Sequence, residues 1–139
     1  MGPGLIMIMR TSARAVGHFL VDFEPLPSND EFISRMRVTR TYSGGLAGRS
    51  TAQMLSVGTA MEGSCGYVLI ELVSGVLDGR RGDFVLEHAG VMWRGETSLA
   101  VTVVPDSGTD ELLGLRGKVT IENLGSTHSY IFEYELEPL

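Results

Sequence analysis

Apolar and polar residues alternate with a period of two along much of this chain, a pattern typical of half-buried β-strands. The clearest run covers residues 15–24, in which Phe19, Val21 and Phe23 share one face. Pro25 has no backbone N–H to donate to a neighbouring strand, so we expect it to end this strand. The first regular element of the chain is therefore predicted to be a strand.

The same alternation, broken by turn residues, predicts further strands at about residues 35–43, 48–58, 66–77, 83–89, 90–104, 117–122 and 128–135. The segment 90–104 fits either one long strand or a bent pair. No amphipathic helical pattern lasts for three turns. One short helical turn is expected within residues 109–114. Ser107 would be its N-cap with Asp110 three residues later, and Gly114 would end it.

Glycines mark the turns between these strands. The chain has 18 glycines, about twice the average share, and Asp78-Gly79 is a strong hairpin signal. Two glycines three residues apart recur at 45 and 48, at 79 and 82, and at 114 and 117, which indicates repeated hairpin turns at a barrel rim. The predicted fold class is therefore all-β, with eight strands in a single closed or nearly closed antiparallel barrel. Such a barrel has few exposed strand edges, and its interior holds packed side chains or one small ligand.

Length and charge narrow the class of protein. The 139 residues form one domain, with the barrel over 13–139 and residues 1–12 set apart as a segment that need not be ordered. The net charge of −6 and the sparse basic residues argue against binding to nucleic acid. A single cysteine excludes an intramolecular disulfide. The apolar run at 5–9 is too short to cross a membrane and no basic segment precedes it, so we expect a cytoplasmic protein.

Several segments resemble a bacterial family of unknown function that has the allene-oxide-cyclase-like, calycin-like barrel fold. The matching segments lie at 41–44, 70–71, 75–80, 82–88 and 103–117, and the last of these is the most specific. The resemblance covers roughly residues 15–137 and implies an eight-stranded barrel with a cavity. It implies no settled activity, and the catalytic carboxylate motif of plant allene oxide cyclases does not align with this chain.

Strand alternation also predicts which side chains face the barrel interior. In the last strand the aromatic residues share a face opposite Glu133 and Glu135, so this face is expected to point inward. Trp93 and Met54 would add an apolar wall, with core packing as an equally good alternative. The residues expected to contact a ligand are Phe19, Arg40, Tyr42, Met54, Tyr67, Phe84, Trp93, Tyr130, Phe132 and Tyr134.

Glu71 and His88 are the candidate catalytic residues. The fourth strand is apolar on both faces, so the sequence leaves open whether Glu71 points inward. If it does, its carboxylate needs a partner, for which Arg40 and His88 are suitable, and the group becomes a candidate general acid/base. Two alternatives are open for Glu71: its carboxylate forms a structural hydrogen bond, or its side chain faces solvent. For His88 the alternative is a position in the core. No histidine spacing supports a metal site, and no phosphate-loop, dinucleotide or hydrolase motif occurs, so we expect no metal or cofactor.

Three functions remain in view. The first is a binding barrel that holds a small, largely apolar molecule in an aromatic-lined interior. The second is a cyclase or isomerase of a small lipophilic or polyketide-like substrate, with Glu71 as the acid/base group. The third is a packed structural barrel that acts through self-association. A homo-oligomer, specifically a dimer, is expected because the fourth strand is apolar on both faces.

Overall fold

The computed structural model describes residues 11–137, which form one closed antiparallel barrel of eight strands. The strands are β1 Thr11–Leu26, β2 Ile33–Gly44, β3 Leu46–Gly58, β4 Cys65–Leu77, β5 Arg80–Trp93, β6 Glu96–Val103, β7 Arg116–Leu124 and β8 Thr127–Leu136. Each strand pairs with the next, and β8 pairs with β1 to close the barrel. The predicted all-β barrel is confirmed.

The barrel has two distinct ends. At the lower end lie the connections at Gly45, at Asp78-Gly79 and at residues 104–115. The recurring glycine pairs of the sequence all fall at this end, as predicted for a barrel rim. The pair at 114 and 117, however, marks the end of the long connection and not a hairpin turn. The upper end carries the connections at 27–32 and 59–64 and the two tight turns between β5 and β6 and between β7 and β8.

The longest lower connection folds over the end of the barrel. It contains the one helical element among the described residues, a 3-10 turn at Asp110–Leu112, so the predicted short turn is confirmed. Leu112 and Leu115 are completely buried and belong to the main apolar core. The connection therefore closes the lower end with apolar side chains.

The predicted capping box in this connection is wrong. Thr109, not Ser107, precedes the 3-10 turn, and no side chain caps it. The hydroxyl of Ser107 instead accepts a hydrogen bond of 3.0 Å from the backbone N–H of Val85. Ser107 thus attaches the connection to β5. The part of β5 before Leu86 has no pairing partner on β6, so its backbone groups can form hydrogen bonds with the connection.

Two strand boundaries differ from the predicted ones. The break expected at Gly90 lies instead at Arg94-Gly95, where both residues have positive φ angles of 48° and 90°, as a tight hairpin turn requires. β1 runs through Pro25 to Leu26, because β8 pairs with β1 only as far as His18. Beyond His18, β1 pairs only with β2, so the missing N–H of Pro25 is tolerated there.

The N-terminal segment set apart in the sequence as 1–12 falls mostly outside the described residues. Thr11 and Ser12 belong to β1 and pair with β8. Within residues 11–137, no helix has the length and apolar character needed to cross a membrane.

Candidate ligand-binding site

Glu71 points into the barrel. On β4 the side chains of Leu69, Glu71 and Val73 are buried, whereas Val68, Ile70 and Leu72 are exposed on the outer face. A strand sends successive side chains to opposite faces, so one register decides the position of all of them. The orientation that the sequence left open is therefore inward.

Four donors from three neighbouring strands surround the Glu71 carboxylate. Its Oε1 accepts a hydrogen bond from Arg40 Nη1 at 3.1 Å and lies 2.7 Å from His88 Nε2. Its Oε2 accepts hydrogen bonds from the hydroxyls of Tyr42 and Ser50, both at 2.5 Å. The backbone of Glu71 pairs with Ala52 on β3 and Leu86 on β5. Ser50 and His88 lie two residues from those positions, so the barrel geometry itself brings the donors together.

The carboxylate is ionised at neutral pH although it is completely buried. Burial alone would raise the pKa of Glu71, but the hydrogen bond from His88, the charge of Arg40 and the hydrogen bonds from Ser50 and Tyr42 lower it to about 2. Because an ionised carboxylate only accepts hydrogen bonds, we assign the proton of this contact to His88 Nε2. Burial and the charge of Glu71 raise the pKa of Tyr42, so its hydroxyl remains a donor.

This arrangement favours a fixed counter-charge over a group that exchanges protons. A carboxylate has about four positions that accept a hydrogen bond, and four donors occupy them here. A pKa of about 2 leaves almost no protonated Glu71 at neutral pH. The carboxylate therefore holds the side chains of Arg40 and His88 in defined orientations beneath the upper end of the barrel.

Arg40 connects this buried cluster with a cavity. Its side chain is only 9% exposed, and its guanidinium carbon lies 5.4 Å from the centre of the Phe19 ring. Its Nε is buried, and no residue in the described part of the chain accepts a hydrogen bond from it. Arg40 thus joins the Glu71 cluster to the cavity wall through atoms other than this Nε.

The cavity occupies the upper half of the barrel and has a volume of about 340 Å³. We call it the mouth pocket, and it is lined by Phe19, Val21, Phe23, Arg40, Met54, Tyr67, Leu69, His88, Leu99, Ile121, Asn123 and His128. Most of the wall is apolar, and a few polar groups converge on it, which is the usual composition of a small-molecule site.

One wall of the mouth pocket is stiffened by stacking. The rings of Phe19 and His128 are nearly parallel, with centres 5.3 Å apart. His128 Nδ1 also lies 2.5 Å from the side-chain oxygen of Asn123. An amide oxygen only accepts hydrogen bonds, so Nδ1 is the donor in this contact. These contacts hold the His128 ring against the wall.

The structure divides the predicted ligand contacts into two groups. Phe19, Arg40, Met54 and Tyr67 line the mouth pocket, as does the predicted catalytic residue His88. The remaining predicted contacts lie elsewhere, and they are Tyr42, Phe84, Trp93, Tyr130, Phe132 and Tyr134.

The aromatic residues of β8 form a packed core instead of lining the cavity. Phe132 packs against both Phe84 and Tyr134, with ring centres 5.7 Å and 5.5 Å apart. Tyr130 packs edge-on against Tyr42 at 5.6 Å. Together with Leu112 and Leu115 from the connection at 104–115, these side chains form the packed core of the lower half of the barrel.

Trp93 is placed differently from the expectation. It is the last residue of β5 and is 65% exposed, and it does not line the mouth pocket. Because β5 runs without a break from the inward-facing His88 to Trp93, alternation places the Trp93 side chain on the outside of the barrel, at its upper rim. The expected apolar wall instead contains Leu99 and Ile121, from β6 and β7.

Sequence reasoning missed seven residues of the pocket: Val21, Phe23, Leu69, Leu99, Ile121, Asn123 and His128. Strand alternation carries the signal for most of them. His128, for example, shares the inward face of β8 with Tyr130. What the sequence did not reveal is that the cavity is confined to the upper half, where these residues lie.

No group of three or more His, Cys, Asp or Glu side chains among residues 11–137 is arranged to hold a metal ion. The basic side chains that line the mouth pocket are those of Arg40, His88 and His128, of which Arg40 and His88 are already paired with Glu71.

Comparison with known proteins adds family information. Residues 17–134 match a protein family described as "Protein of unknown function (DUF3224)". A protein of unknown function from this family, from Shewanella oneidensis MR-1, has a similar structure with a TM-score of 0.88. The two sequences are 40% identical, and the match covers 93% of this chain and 100% of the other. No curated protein matches the chain.

Proposed function

Because the chain belongs to the DUF3224 family, whose function is unknown, we propose a function from the geometry of the mouth pocket: the barrel binds a small, largely apolar molecule. The observation that carries this proposal is the contrast between the two halves of the barrel. The lower half is packed with aromatic and aliphatic side chains, whereas the upper half contains a cavity of about 340 Å³.

The chemistry of the cavity supports a binding role. Its wall consists mainly of apolar side chains such as Leu69, Leu99 and Ile121, from three different strands. Transfer of an apolar molecule from water to such a wall is favourable in proportion to the apolar area removed from water. The polar groups at its floor are held in place by Glu71, so they can orient a ligand without having to be ordered first.

A larger groove on the outside of the barrel fits this role less well. It has a volume of about 610 Å³ and lies around Val57, Val68 and Val91. None of the side chains that line it is charged, and it therefore lacks the convergent polar groups that fix the orientation of a small ligand. We assign the ligand to the mouth pocket for this reason.

A cyclase or isomerase is the second candidate, and the contact between His88 and the cavity favours it. The expected resemblance to the allene-oxide-cyclase-like fold would support this second candidate, and it stays a prediction. The enclosed wall would hold a flexible substrate in one reactive conformation. The low pKa of Glu71 and its four hydrogen bonds make His88 a better proton-transfer group than Glu71 in such a reaction.

We further propose that the chain forms a homodimer through the outer face of β3, β4 and β5. The apolar side chains on this face are 42–60% exposed, and they are Leu55, Val57, Val68, Ile70, Leu72 and Val91. They amount to on the order of 500 Å² of apolar surface, against about 800 Å² per partner in a standard interface. No outward residue of β4 from Gly66 to Ser74 is charged, so the apolar stripe along β4 fits a second copy of itself. Glu87 of β5 lies opposite Ile70 at the edge of this stripe.

The binding proposal is tested by filling the mouth pocket. In Ile121→Trp the larger side chain occupies cavity volume, and Leu20→Trp is the matched control because Leu20 is 74% exposed on the outside of β1. The probes are indane and indanone, two compact and mostly apolar molecules, and binding is followed through the methyl signals of Leu99 and Leu69 by NMR. We expect saturable shifts in the natural chain and in Leu20→Trp and their loss in Ile121→Trp. Shifts that persist in Ile121→Trp, or that map to the outer groove, would contradict the proposal.

A further inference from the structure

Within residues 11–137, the tip of the β7–β8 hairpin has no neighbouring strand on either side. Towards the upper end, β6 pairs with β7 only as far as Val119, and β1 pairs with β8 only as far as Ser129. Ser129 lies opposite Glu122 on β7. In the part of the chain that the structure describes, residues 123–128 are therefore paired only with each other across the hairpin. We call this segment the tip.

The tip is weakly held compared with the strands below it. A two-stranded hairpin is only marginally stable without a further strand, and segments with few buried contacts open more readily than the rest of a fold. Directly below the tip, by contrast, Tyr130 is buried, and its hydroxyl accepts a hydrogen bond of 2.9 Å from the backbone N–H of Leu46. The change from a fixed to a loosely held hairpin falls at Ser129, which places a hinge at that level.

The strands on both sides of the tip are held by other neighbours. β1 continues upwards from Phe19 to Leu26 in pairing with β2, and β6 is paired with β5 along its whole length. The turn between β5 and β6 is also tied to the connection between β3 and β4. Here the backbone N–H of Gly95 donates a hydrogen bond of 3.0 Å to the carbonyl oxygen of Gly63. The tip can therefore move against both walls without breaking a strand pair.

An aromatic contact holds the tip against the barrel. The His128 ring stacks on Phe19 with centres 5.3 Å apart and planes inclined by 23°, and Phe19 is a buried residue of the main core. The contact between His128 and Asn123 lies within the tip, so it orients the ring without fixing the tip to the barrel. A stacked pair of rings shifts an equilibrium by roughly two- to tenfold beyond its contact area. Such a contact is weak enough to open and close repeatedly.

The tip borders the mouth pocket at a place where the barrel wall is incomplete. Asn123 and His128 line the pocket, as do Leu99 of β6 and Phe23 of β1. Alternation turns Leu99 and Phe23 inward, yet they are 42% and 56% exposed. Both lie above the level at which β7 and β8 complete the wall. Their exposure therefore marks a notch between β6 and β1, which the tip partly fills.

We infer that the tip is a lid on the mouth pocket, and that the stack of His128 on Phe19 is the latch that keeps it closed. A molecule enters through the notch between β6 and β1 while the tip is raised, and the returning tip covers it with Asn123 and His128. This inference rests on the proposed function, because it describes how the ligand of the same pocket enters and leaves. Association is then limited by the fraction of time for which the lid is open.

The first test measures the movement of the lid without any ligand. Relaxation-dispersion NMR of the backbone amides reports exchange between two conformations on the microsecond-to-millisecond timescale on which lids move. We expect such exchange at Gly125 and His128 in the tip and none at Phe132, which lies on the same hairpin below the hinge. Tip amides without exchange would overturn the lid, whether or not indanone binds.

The second test removes the latch and follows the binding kinetics of indanone by NMR line shapes. His128→Ala should raise the association rate constant about threefold or more, because the stack no longer keeps the lid closed. Loss of a wall contact alone would speed dissociation but would not speed association. Thr127→Ala is the matched control, since Thr127 is exposed in the same tip and does not line the pocket. It should leave both rate constants unchanged.

The outcomes separate the lid from the proposed function. An association rate constant that is unchanged or lower in His128→Ala overturns the latch while the binding function stands. If indanone does not bind although the tip amides exchange, the proposed function fails, and the role of the tip as a lid fails with it. The relaxation dispersion of the natural chain gives its answer even if His128→Ala does not fold.

Discussion

His88 Nε2 lies 2.7 Å from Glu71 Oε1 between two strands of a closed barrel, and both side chains are shielded from solvent. The contact joins β4 and β5 on the inner face, and Arg40, Tyr42 and Ser50 extend it to β2 and β3. Four consecutive strands therefore meet at a single carboxylate. A polar centre of this kind stabilises the barrel only while every donor and acceptor in it is satisfied.

Glu71→Gln should strongly destabilise the barrel. The amide would remove the charge that offsets Arg40, and its N–H₂ group could no longer accept the hydrogen bonds that one carboxylate oxygen of Glu71 accepts. Loss of one partner of a buried ion pair costs about 3–5 kcal/mol, which is a large part of the stability of a domain of this size. The measurement is the free energy of unfolding in urea.

The control for this substitution is Glu122→Gln. Glu122 lies on the outer face of β7, away from the proposed dimer face, and is exposed. A surface substitution of this kind is expected to leave the unfolding midpoint close to that of the natural chain. If Glu71→Gln unfolds at the same urea concentration as this control, the carboxylate is not the centre of the network.

The stability of the barrel should fall in acid through Glu71. The pKa of Glu71 is lowered from 4.5 to about 2 in the folded chain. Its contribution is therefore fully present above about pH 4.5 and is lost as the pH falls towards 2. One pKa unit corresponds to about 1.4 kcal/mol, so the whole contribution is about 3 kcal/mol.

The Glu71 carboxyl carbon gives a direct measurement by NMR. Its chemical shift should remain that of an ionised carboxylate as the pH is lowered from neutrality to about 3 or until the chain unfolds. The carboxyl carbons of exposed side chains in the same samples serve as the internal reference. Protonation of Glu71 near pH 4.5 in the folded chain would contradict the network described above.

Much of the inner face could be predicted because strand alternation is a local property of the sequence. On β8 the run from Tyr130 to Tyr134 has aromatic residues at every second position, so the burial of one aromatic residue implies the burial of the others. The cluster of Arg40, Glu71 and His88 followed from the same rule, but only on condition that β4 has a particular register. That register was open in the sequence because both faces of β4 are apolar.

The location of the cavity could not be predicted from alternation. It depends on the connection at 104–115, which closes the lower end with Leu112 and Leu115 through contacts between residues far apart in the chain. The predicted contact Phe132 is in the packed half for this reason. The outward position of Trp93, by contrast, follows from alternation once β5 is known to run unbroken past Gly90.

Gly90→Ala should reduce binding in the mouth pocket. A Cβ atom at Gly90 would lie 2.4 Å from Cε1 of Tyr67, so the ring has to move from its place in the pocket wall. Overpacking of this kind costs about 1–3 kcal/mol. We expect a lower free energy of unfolding in urea together with weaker binding of indanone.

Gly66→Ala is the matched control for this change. A Cβ atom at Gly66 would find its nearest neighbours at 3.8 Å, an ordinary contact distance, and Gly66 lies in the same upper part of the barrel. Its stability and its affinity for indanone should remain close to those of the natural chain. Equal affinities in the two variants would show that the Tyr67 ring does not shape the pocket.

Ile70→Glu should convert the proposed dimer to a monomer. Ile70 is 48% exposed at the centre of the uncharged outer face of β4, where a two-fold axis would bring the two copies of the residue close together. Two carboxylates buried there would repel each other and lose their hydration. Thr120→Glu adds the same charge on the exposed outer face of β7 and should leave the dimer intact. Light scattering after size-exclusion chromatography gives the mass of each species. A natural chain that is already monomeric, or an Ile70→Glu chain with the mass of a dimer, would refute this interface.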